Sequence, residues 1–123
     1  MENLDVIKPE QIIQIADNNG KLFKSIKTNQ IRNFFASILA IKNKVEMMEQ
    51  FDFSQIEADI HLLKPKIAYA AGRKKEVMPF KEFVDELVEA LIKSSNREKA
   101  MKTFFSLIES VVAYHKFHGG KDN

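Results

Sequence analysis

Apolar residues at helical spacing are the feature that most constrains how this chain folds. After Thr28 they recur in steps of three, four and seven positions, at Ile31, Phe34, Phe35, Ile38, Val45 and Met48. Residues three and four positions apart share one face of an α-helix. Nowhere does the sequence alternate apolar and polar residues over the length of a β-strand. We therefore predict an all-α fold.

Further apolar stripes follow Pro9, Pro79 and Ser95. A proline suits the first turn of a helix, because that position needs no N–H donor. The S-x-x-E sequences that begin at Ser54 and Ser95 are typical of helix starts. Gly119–Gly120 is typical of a helix end. Together these signals predict a bundle of about four to six helices.

Length and composition favour one folded domain. The chain has 123 residues, of which 45% are hydrophobic, so we expect a single helical domain over residues 1–123, with residues 1–8 and 119–123 flexible. The absence of cysteine excludes disulfides and thiolate metal sites. No apolar run approaches the roughly 18 residues of a membrane span, and the polar start does not resemble a signal peptide. The expected compartment is the cytoplasm.

Positive charge is concentrated in one segment. Ile60–Lys75 contains five basic residues and no acid, although the net charge of the whole chain is only +2. The remainder of the chain is therefore net negative. A basic segment in an otherwise acidic protein points to an anionic partner.

Helical geometry places part of this charge on one face. If the chain is helical after Pro65, then Lys66, Tyr69 and Arg73 share a face, and Leu63, Ile67 and Ala71 lie on the opposite side, where they dock onto the core. Cations bind phosphates, and a tyrosine ring offers a surface for an unpaired base. The alternative is a solvated helix face with a half-buried Tyr69.

The sequence offers little that resembles a catalytic site. His115 and His118 are three positions apart and are close enough to share a metal, but they lack a third ligand. A histidine in the last turn of a helix more often complements the helix dipole. The acids after Pro79 are typical of a solvated helix surface. We predict no catalytic residue, no metal and no cofactor.

Three segments of the chain resemble a known family. They are Thr28–Phe34 (TNQIRNF), Leu62–Arg73 (LLKPKIAYAAGR) and Ala113–Gly120 (AYHKFHGG). In this order and spacing they resemble the small subunit of the type III-A CRISPR effector, the Csm complex. The middle segment is the most specific of the three. The resemblance extends from about Ala16 to Gly120.

The resemblance implies a non-catalytic helical protein. Copies of this subunit stack as an inner filament beside the backbone subunits that hold the guide RNA, and they touch the large subunit at one end. They contact the target RNA, the single strand that pairs with the guide, through its backbone without reading its sequence. No metal or cofactor is implied.

Charge and resemblance together give a set of candidate RNA-binding residues: Lys64, Lys66, Tyr69, Arg73, Lys74, Lys75 and Arg32, with His115 and Lys116 as further candidates. Several roles stay open at this point. Arg32 either reaches a phosphate or pairs with a carboxylate, and Tyr69 either stacks on a base or packs. His115 and Lys116 contact either RNA or a neighbouring copy. The rival hypothesis is a helical adaptor that self-assembles through basic and acidic faces without binding RNA.

Overall fold

The computed structural model describes residues 1–120. Over this range there are six α-helices: α1 (Pro9–Leu22), α2 (Thr28–Glu46), α3 (Glu57–His61), α4 (Leu63–Arg73), α5 (Met78–Ile92) and α6 (Arg97–Phe117). Three short 3-10 turns accompany them, at Leu4–Val6, Phe53–Gln55 and Lys75–Val77, and the described range contains no strand. The predicted all-α fold of four to six helices is confirmed.

Helix α6 lies at the centre of the bundle, where α1, α2, α5 and the N-terminal turn pack against it. Its sequence explains this position, because its buried residues cover a wide arc of the helix surface. A helix with so broad an apolar face is stable only when other elements surround it. The buried residues of α6 are Ala100, Met101, Thr103, Phe104, Phe105, Leu107, Ile108, Val111 and His115.

Phenylalanine rings join the outer helices to one another. Phe80 of α5 packs edge-to-face against Phe23, which follows α1, and against Phe34 of α2, with ring centroids 5.4 Å apart in both pairs. Such pairs contribute about 0.5–1.5 kcal/mol beyond their buried area. They fix α2 and α5 at a set distance from each other, and α4 lies beside both.

The N-terminus of α6 is capped by Asn96, so the predicted start at Ser95 is wrong by one residue. Asn96 Oδ1 accepts a hydrogen bond from the Lys99 N–H at 3.1 Å. The carboxylate of Asp5 adds a second cap by accepting from the N–H groups of Asn96 and Ser95, at 2.9 and 3.0 Å. The bond from Asn96 is the main reason that the pKa of Asp5 lies below its ordinary value.

The predicted helix start at Ser54 is displaced in a similar way. Ser54 lies inside the 3-10 turn Phe53–Gln55, and its N–H donates to Asp52 Oδ1 at 3.0 Å. Asp52 is therefore the cap of that turn, and α3 begins later, at Glu57. Both displaced starts have an Asp or Asn within two positions of the serine, and either residue type makes an equally good cap.

The end of α6 falls where the glycine pair predicts it. The helix ends at Phe117, and Gly119 adopts a φ of 87°, which glycine reaches without steric cost. The Gly120 N–H donates to the His115 carbonyl at 2.8 Å, and the Gly119 N–H donates to the Lys116 carbonyl at 3.1 Å. These two bonds form a Schellman motif, which satisfies carbonyls at the helix end.

Two side chains of the N-terminal segment 1–8, for which the sequence predicts flexibility, pack into the bundle. Leu4 and Ile7 are buried, and Asp5 is bonded to the start of α6. Apolar burial at two of these eight positions was not apparent from the sequence pattern. Gly120 is also buried, and residues 121–123, the rest of the segment predicted to be flexible, lie outside the described residues. Within residues 1–120, no helix has the length and apolar content needed to cross a bilayer.

Helices α1 and α6 approach closely at Gly20, which is buried. A Cβ atom placed on Gly20 would lie 2.6 Å from Tyr114 Cβ and 2.8 Å from the backbone nitrogen of His115. Neither atom belongs to the flexible end of a side chain, so neither can move aside without shifting α6. A residue larger than glycine at this position would therefore push the two helices apart.

We predict that Gly20→Ala lowers the free energy of unfolding by about 1–3 kcal/mol, the usual cost of overpacking. Gly72→Ala in α4 is the matched control, because a Cβ there meets no atom within 4 Å. Removing a helical glycine at such a site stabilises by about 0.5–1 kcal/mol. Urea unfolding followed by circular dichroism measures both changes, and a similar change in both variants would contradict the proposed helix contact.

Candidate nucleic-acid interface

Helix α4 carries the basic segment and is anchored by its opposite face. Leu63, Ile67 and Ala71 are buried, and α4 packs mainly on α5, with a smaller contact to α2. This orientation confirms the predicted core-facing side of the helix. It also leaves the predicted basic face exposed, since Lys66 and Arg73 lie in the solvent-exposed class.

A groove of about 280 Å³ runs between α2 and α4, and we refer to it as the α2–α4 groove. One wall is α4 and the other is the N-terminal half of α2, with the buried ring of Phe34 reaching its floor. Its lining residues are Gln30, Asn33, Phe34, Ser37, Lys66, Tyr69, Ala70, Arg73 and Lys74. The lining therefore contains three cations, three uncharged polar side chains and one exposed ring, and it contains no acid.

The α2 wall of this groove was not predicted from the sequence. Gln30, Asn33 and Ser37 occur at positions i, i+3 and i+7, so they share one face of α2. That spacing was available as a signal, but polar residues on a helix surface usually face only solvent. The position of α4 beside them is what makes them part of a site.

The cations of the groove have no acidic partner within the described part of the chain. Lys66 Nζ lies 3.5 Å from the hydroxyl oxygen of Ser37, across the groove. The Arg73 guanidinium lies 5.8 Å from the centroid of the Tyr69 ring, within the range of a cation–π contact. Both positive charges are therefore available to an anion that enters the groove.

The exposure of Tyr69 distinguishes between its two predicted roles, which are stacking on a base and packing against the protein. Its relative exposure is 69%, so the predicted half-buried packing is wrong. One side of the ring is near the Arg73 guanidinium. A large exposed ring between two cations is the arrangement on which an unpaired base can stack.

Lys64 points away from the α2–α4 groove. Its ammonium forms an ion pair with Glu89 of α5, and it lines a separate depression that also includes Asp85 and Lys93. Lys64 and Lys66 are two positions apart, which places them on different faces of the helix. Lys64 therefore has a protein partner that Lys66 lacks.

The remaining basic candidates also differ in whether they line the groove. Lys74 lines the groove, whereas Lys75, which opens the following 3-10 turn, is exposed but outside the lining. Arg32 is exposed on the outer face of α2 and is also outside the lining. No ion pair to Arg32 is found among residues 1–120, so its predicted carboxylate partner is absent there. The buried stripe set by Ile31 and Phe34 turns Arg32 toward solvent.

His115 is buried with a relative exposure of 1%, so we remove it from the RNA-binding candidates. Its Nε2–H donates to the carbonyl oxygen of Ile26 at 2.8 Å, and Gly120 packs against its ring. The histidine thereby ties the end of α6 to the connection between α1 and α2. Lys116, the next residue, is exposed and lies outside the groove lining.

His118 has a different partner from His115. Its Nε2 lies 2.5 Å from Asp17 Oδ1 of α1, and its ring stacks on Tyr114 with centroids 6.3 Å apart. The two imidazoles therefore do not converge on a common point through these nitrogens. Within residues 1–120, no group of three or more His, Asp or Glu side chains is arranged to hold a metal ion.

We predict that Lys64 is engaged with Glu89 in solution. The Lys64 ammonium holds the pKa of the Glu89 carboxyl below its ordinary value, first by hydrogen bonding and then by charge attraction. Because the folded-state pKa is depressed, the stabilisation exists above the unfolded-state pKa and is lost as the pH falls through the folded-state value. Lys64→Gln should therefore raise the pKa of Glu89, and the stability difference between variant and parent should vanish in acid.

A carbon-13 NMR titration of the Glu89 carboxyl group measures this change. Lys66→Gln is the matched control, since Lys66 has no ion pair with Glu89, and it should leave that pKa unchanged. A pKa of Glu89 that ignores Lys64→Gln would show that the ion pair does not persist. Lys64 would then rejoin the available cations.

Comparison with known proteins agrees with the motifs. A family model described as Csm2 Type III-A matches residues 7–121. A protein from Streptococcus thermophilus, described as "CRISPR system Cms protein Csm2", is 29% identical over 117 residues, which is 95% of this chain and 93% of that protein. The search of solved structures found no match. The family match covers all three motif segments, and the chain belongs to the Csm2 family of type III-A CRISPR systems.

Proposed function

We propose that this chain is a non-catalytic subunit of a type III-A CRISPR effector and that it binds target RNA in the α2–α4 groove. The observation that carries the proposal is the acid-free lining, with Lys66, Arg73 and Lys74 beside an exposed Tyr69. Membership of the Csm2 family supplies the biological setting. The partners are the single RNA strand that pairs with the guide RNA, the backbone and large subunits, and other copies of the chain. The setting is cytoplasmic.

The chemistry of the groove favours contact with the RNA backbone. Lysine and arginine bind phosphate through charge and hydrogen bonds that carry no sequence information. Lys66 and Arg73 are seven positions apart on one helix, which corresponds to about 10 Å along its axis. The amides of Gln30 and Asn33 and the hydroxyl of Ser37 add uncharged groups that can bond to phosphates or ribose hydroxyls.

The lining also supports a binding role without catalysis. None of the side chains that line the groove is a carboxylate or an imidazole, the groups that usually serve as general acids and bases. The exposed ring of Tyr69 offers stacking to any base, because every base has a π-face. We therefore propose that the groove binds the RNA strand and that other subunits cleave it.

We predict that Lys66→Glu with Arg73→Glu weakens binding of single-stranded RNA and leaves the helical content intact. The plot of log affinity against log salt should become shallower by ~0.7 for each phosphate contact that is lost. Fluorescence anisotropy of a labelled RNA strand, titrated across salt, measures the slope. Duplex DNA measured alongside tests whether the groove favours a single strand.

The matched control is Lys99→Glu with Lys102→Glu, which changes the net charge equally on exposed positions of α6 outside the groove. We expect this control to keep most of the salt slope. An equal loss of salt slope in the two double variants would mean that RNA binding depends only on net charge. An unchanged slope in both would contradict RNA binding in the groove.

A second candidate function is a self-assembling adaptor, and α5 provides the observation that favours it. Glu82 and Glu86 are exposed on α5, and neither has an ion pair within the described residues. A contact between this acidic face and the basic face of another copy would be head-to-tail, which gives filaments or rings. Sedimentation velocity across salt, with and without RNA, separates the functions. An oligomer that dissociates in salt, combined with no RNA binding, supports the adaptor.

A further inference from the structure

The α2–α4 groove continues past Lys66 toward the C-terminal end of α2. Ser37 and Lys66 line the groove and also line a second depression of about 120 Å³ beyond it. Lys44 lines this second depression and a third one, which lies at the end of the helix. Because neighbouring depressions share these residues, the three follow one another along α2, and we refer to them together as the path.

Two contacts cross this path, and they differ in charge. Lys66 Nζ lies 3.5 Å from the neutral hydroxyl of Ser37. Lys44 Nζ lies 2.8 Å from Asp59 Oδ2. The first contact leaves the positive charge of its lysine uncompensated, whereas the second contact cancels it.

Asp59 is the sole acid among the residues that line the three depressions. It lies in the middle of α3, four positions before the start of α4. The side chains of Lys44 and Asp59 keep 58% and 34% of their exposure. The ion pair is therefore open to solvent and is not part of the core, and exposed pairs of this kind contribute little to stability.

We propose that Asp59 ends the RNA path by neutralising Lys44. This inference rests on the proposed function of the α2–α4 groove. Lys44 is positioned to bind a phosphate, but the Asp59 carboxylate beside it compensates its charge. A strand bound in the groove is held from Arg73 to Lys66 and gains no further attraction at the Lys44–Asp59 pair, because the two opposite charges compensate each other at short range.

The arrangement limits how much of a strand one copy of the protein can hold. Lys44 lies seven positions beyond Ser37, which is about 10 Å farther along α2. Without the Asp59 charge, the cationic path would extend over that distance. The carboxylate thus sets the length of the bound segment without contributing any attraction of its own.

Asp59→Asn provides the direct test. The substitution preserves the size of the side chain and releases Lys44. We expect the salt slope for a single-stranded RNA to steepen by ~0.7, equal to one added phosphate contact, and the affinity at 0.1 M salt to rise about fivefold. The measurement is the same fluorescence anisotropy titration of the full-length protein.

Two further variants complete a double-mutant cycle. Lys44→Ala alone should not steepen the slope, since it removes the cation and leaves the Asp59 carboxylate unpaired. Lys44→Ala combined with Asp59→Asn should return the slope to that of the parent protein. A gain that survives the removal of Lys44 would overturn the role assigned to that lysine, because the cycle isolates the coupling between the two residues.

The matched control is Glu109→Gln, which releases another lysine of the same helix. Lys42 Nζ pairs with Glu109 Oε1 at 2.7 Å, and neither residue lines the path. Glu109→Gln changes the net charge by the same amount as Asp59→Asn, and it should leave the slope unchanged. Circular dichroism of all variants establishes that each is folded.

The outcomes separate this inference from the proposed function. If the parent protein binds RNA and the variant with Lys66→Glu and Arg73→Glu binds it more weakly, the assignment of RNA binding to the groove is supported. Asp59→Asn with no more effect than Glu109→Gln then overturns the Asp59 inference alone. If the parent protein does not bind RNA at any salt concentration, the proposed function and the inference both fail. A steeper slope that requires Lys44 supports both.

Discussion

Helix α6 buries a wide arc of its surface, and this requirement determines where the other helices lie. Its buried residues need apolar partners on several sides, which α1, α2, α5 and the N-terminal turn supply. Gly20 allows α1 to approach closely, and the bond from His115 to the Ile26 carbonyl fixes the connection to α2. Helix α4 is left at the periphery, packed mainly on α5, so a groove stays open between it and α2. The candidate site is thus a consequence of which helices cover α6.

Local patterns in the sequence were sufficient for part of this result. The spacing of Leu63, Ile67 and Ala71 identified the buried face of α4, and with it the exposed face that carries Lys66 and Arg73. Apolar periodicity also identified the helices themselves. These features depend on residues within one or two helical turns, where the geometry of the helix alone fixes which side chains share a face.

Other features depended on contacts between residues distant in sequence. Lys64 pairs with Glu89 across 25 positions, and no local pattern indicates that pair. The burial of His115 depends on a carbonyl 89 positions away, so a typical helix-end histidine proved to be a core residue. The α2 wall of the groove was missed for the same reason, because Ser37 and its neighbours become part of a site only when α4 lies beside them. Charge alone therefore did not distinguish the paired Lys64 from the cations that line the groove on α4, and it did not indicate the α2 wall.

The pairing of charges also bears on how the protein would hold a strand. Lys42, Lys44 and Lys64 each have a carboxylate partner, whereas the three cations that line the groove have none among the described residues. Three phosphate contacts correspond to a salt slope of about 2 on a single strand, which is the signature of weak, salt-sensitive binding. Under the proposed function, tight binding would require several copies on the same RNA, because linked weak contacts raise the overall affinity far above that of each one. If Asp59 bounds the groove as we propose, each copy would hold a short segment, which is compatible with several copies in a row along one strand.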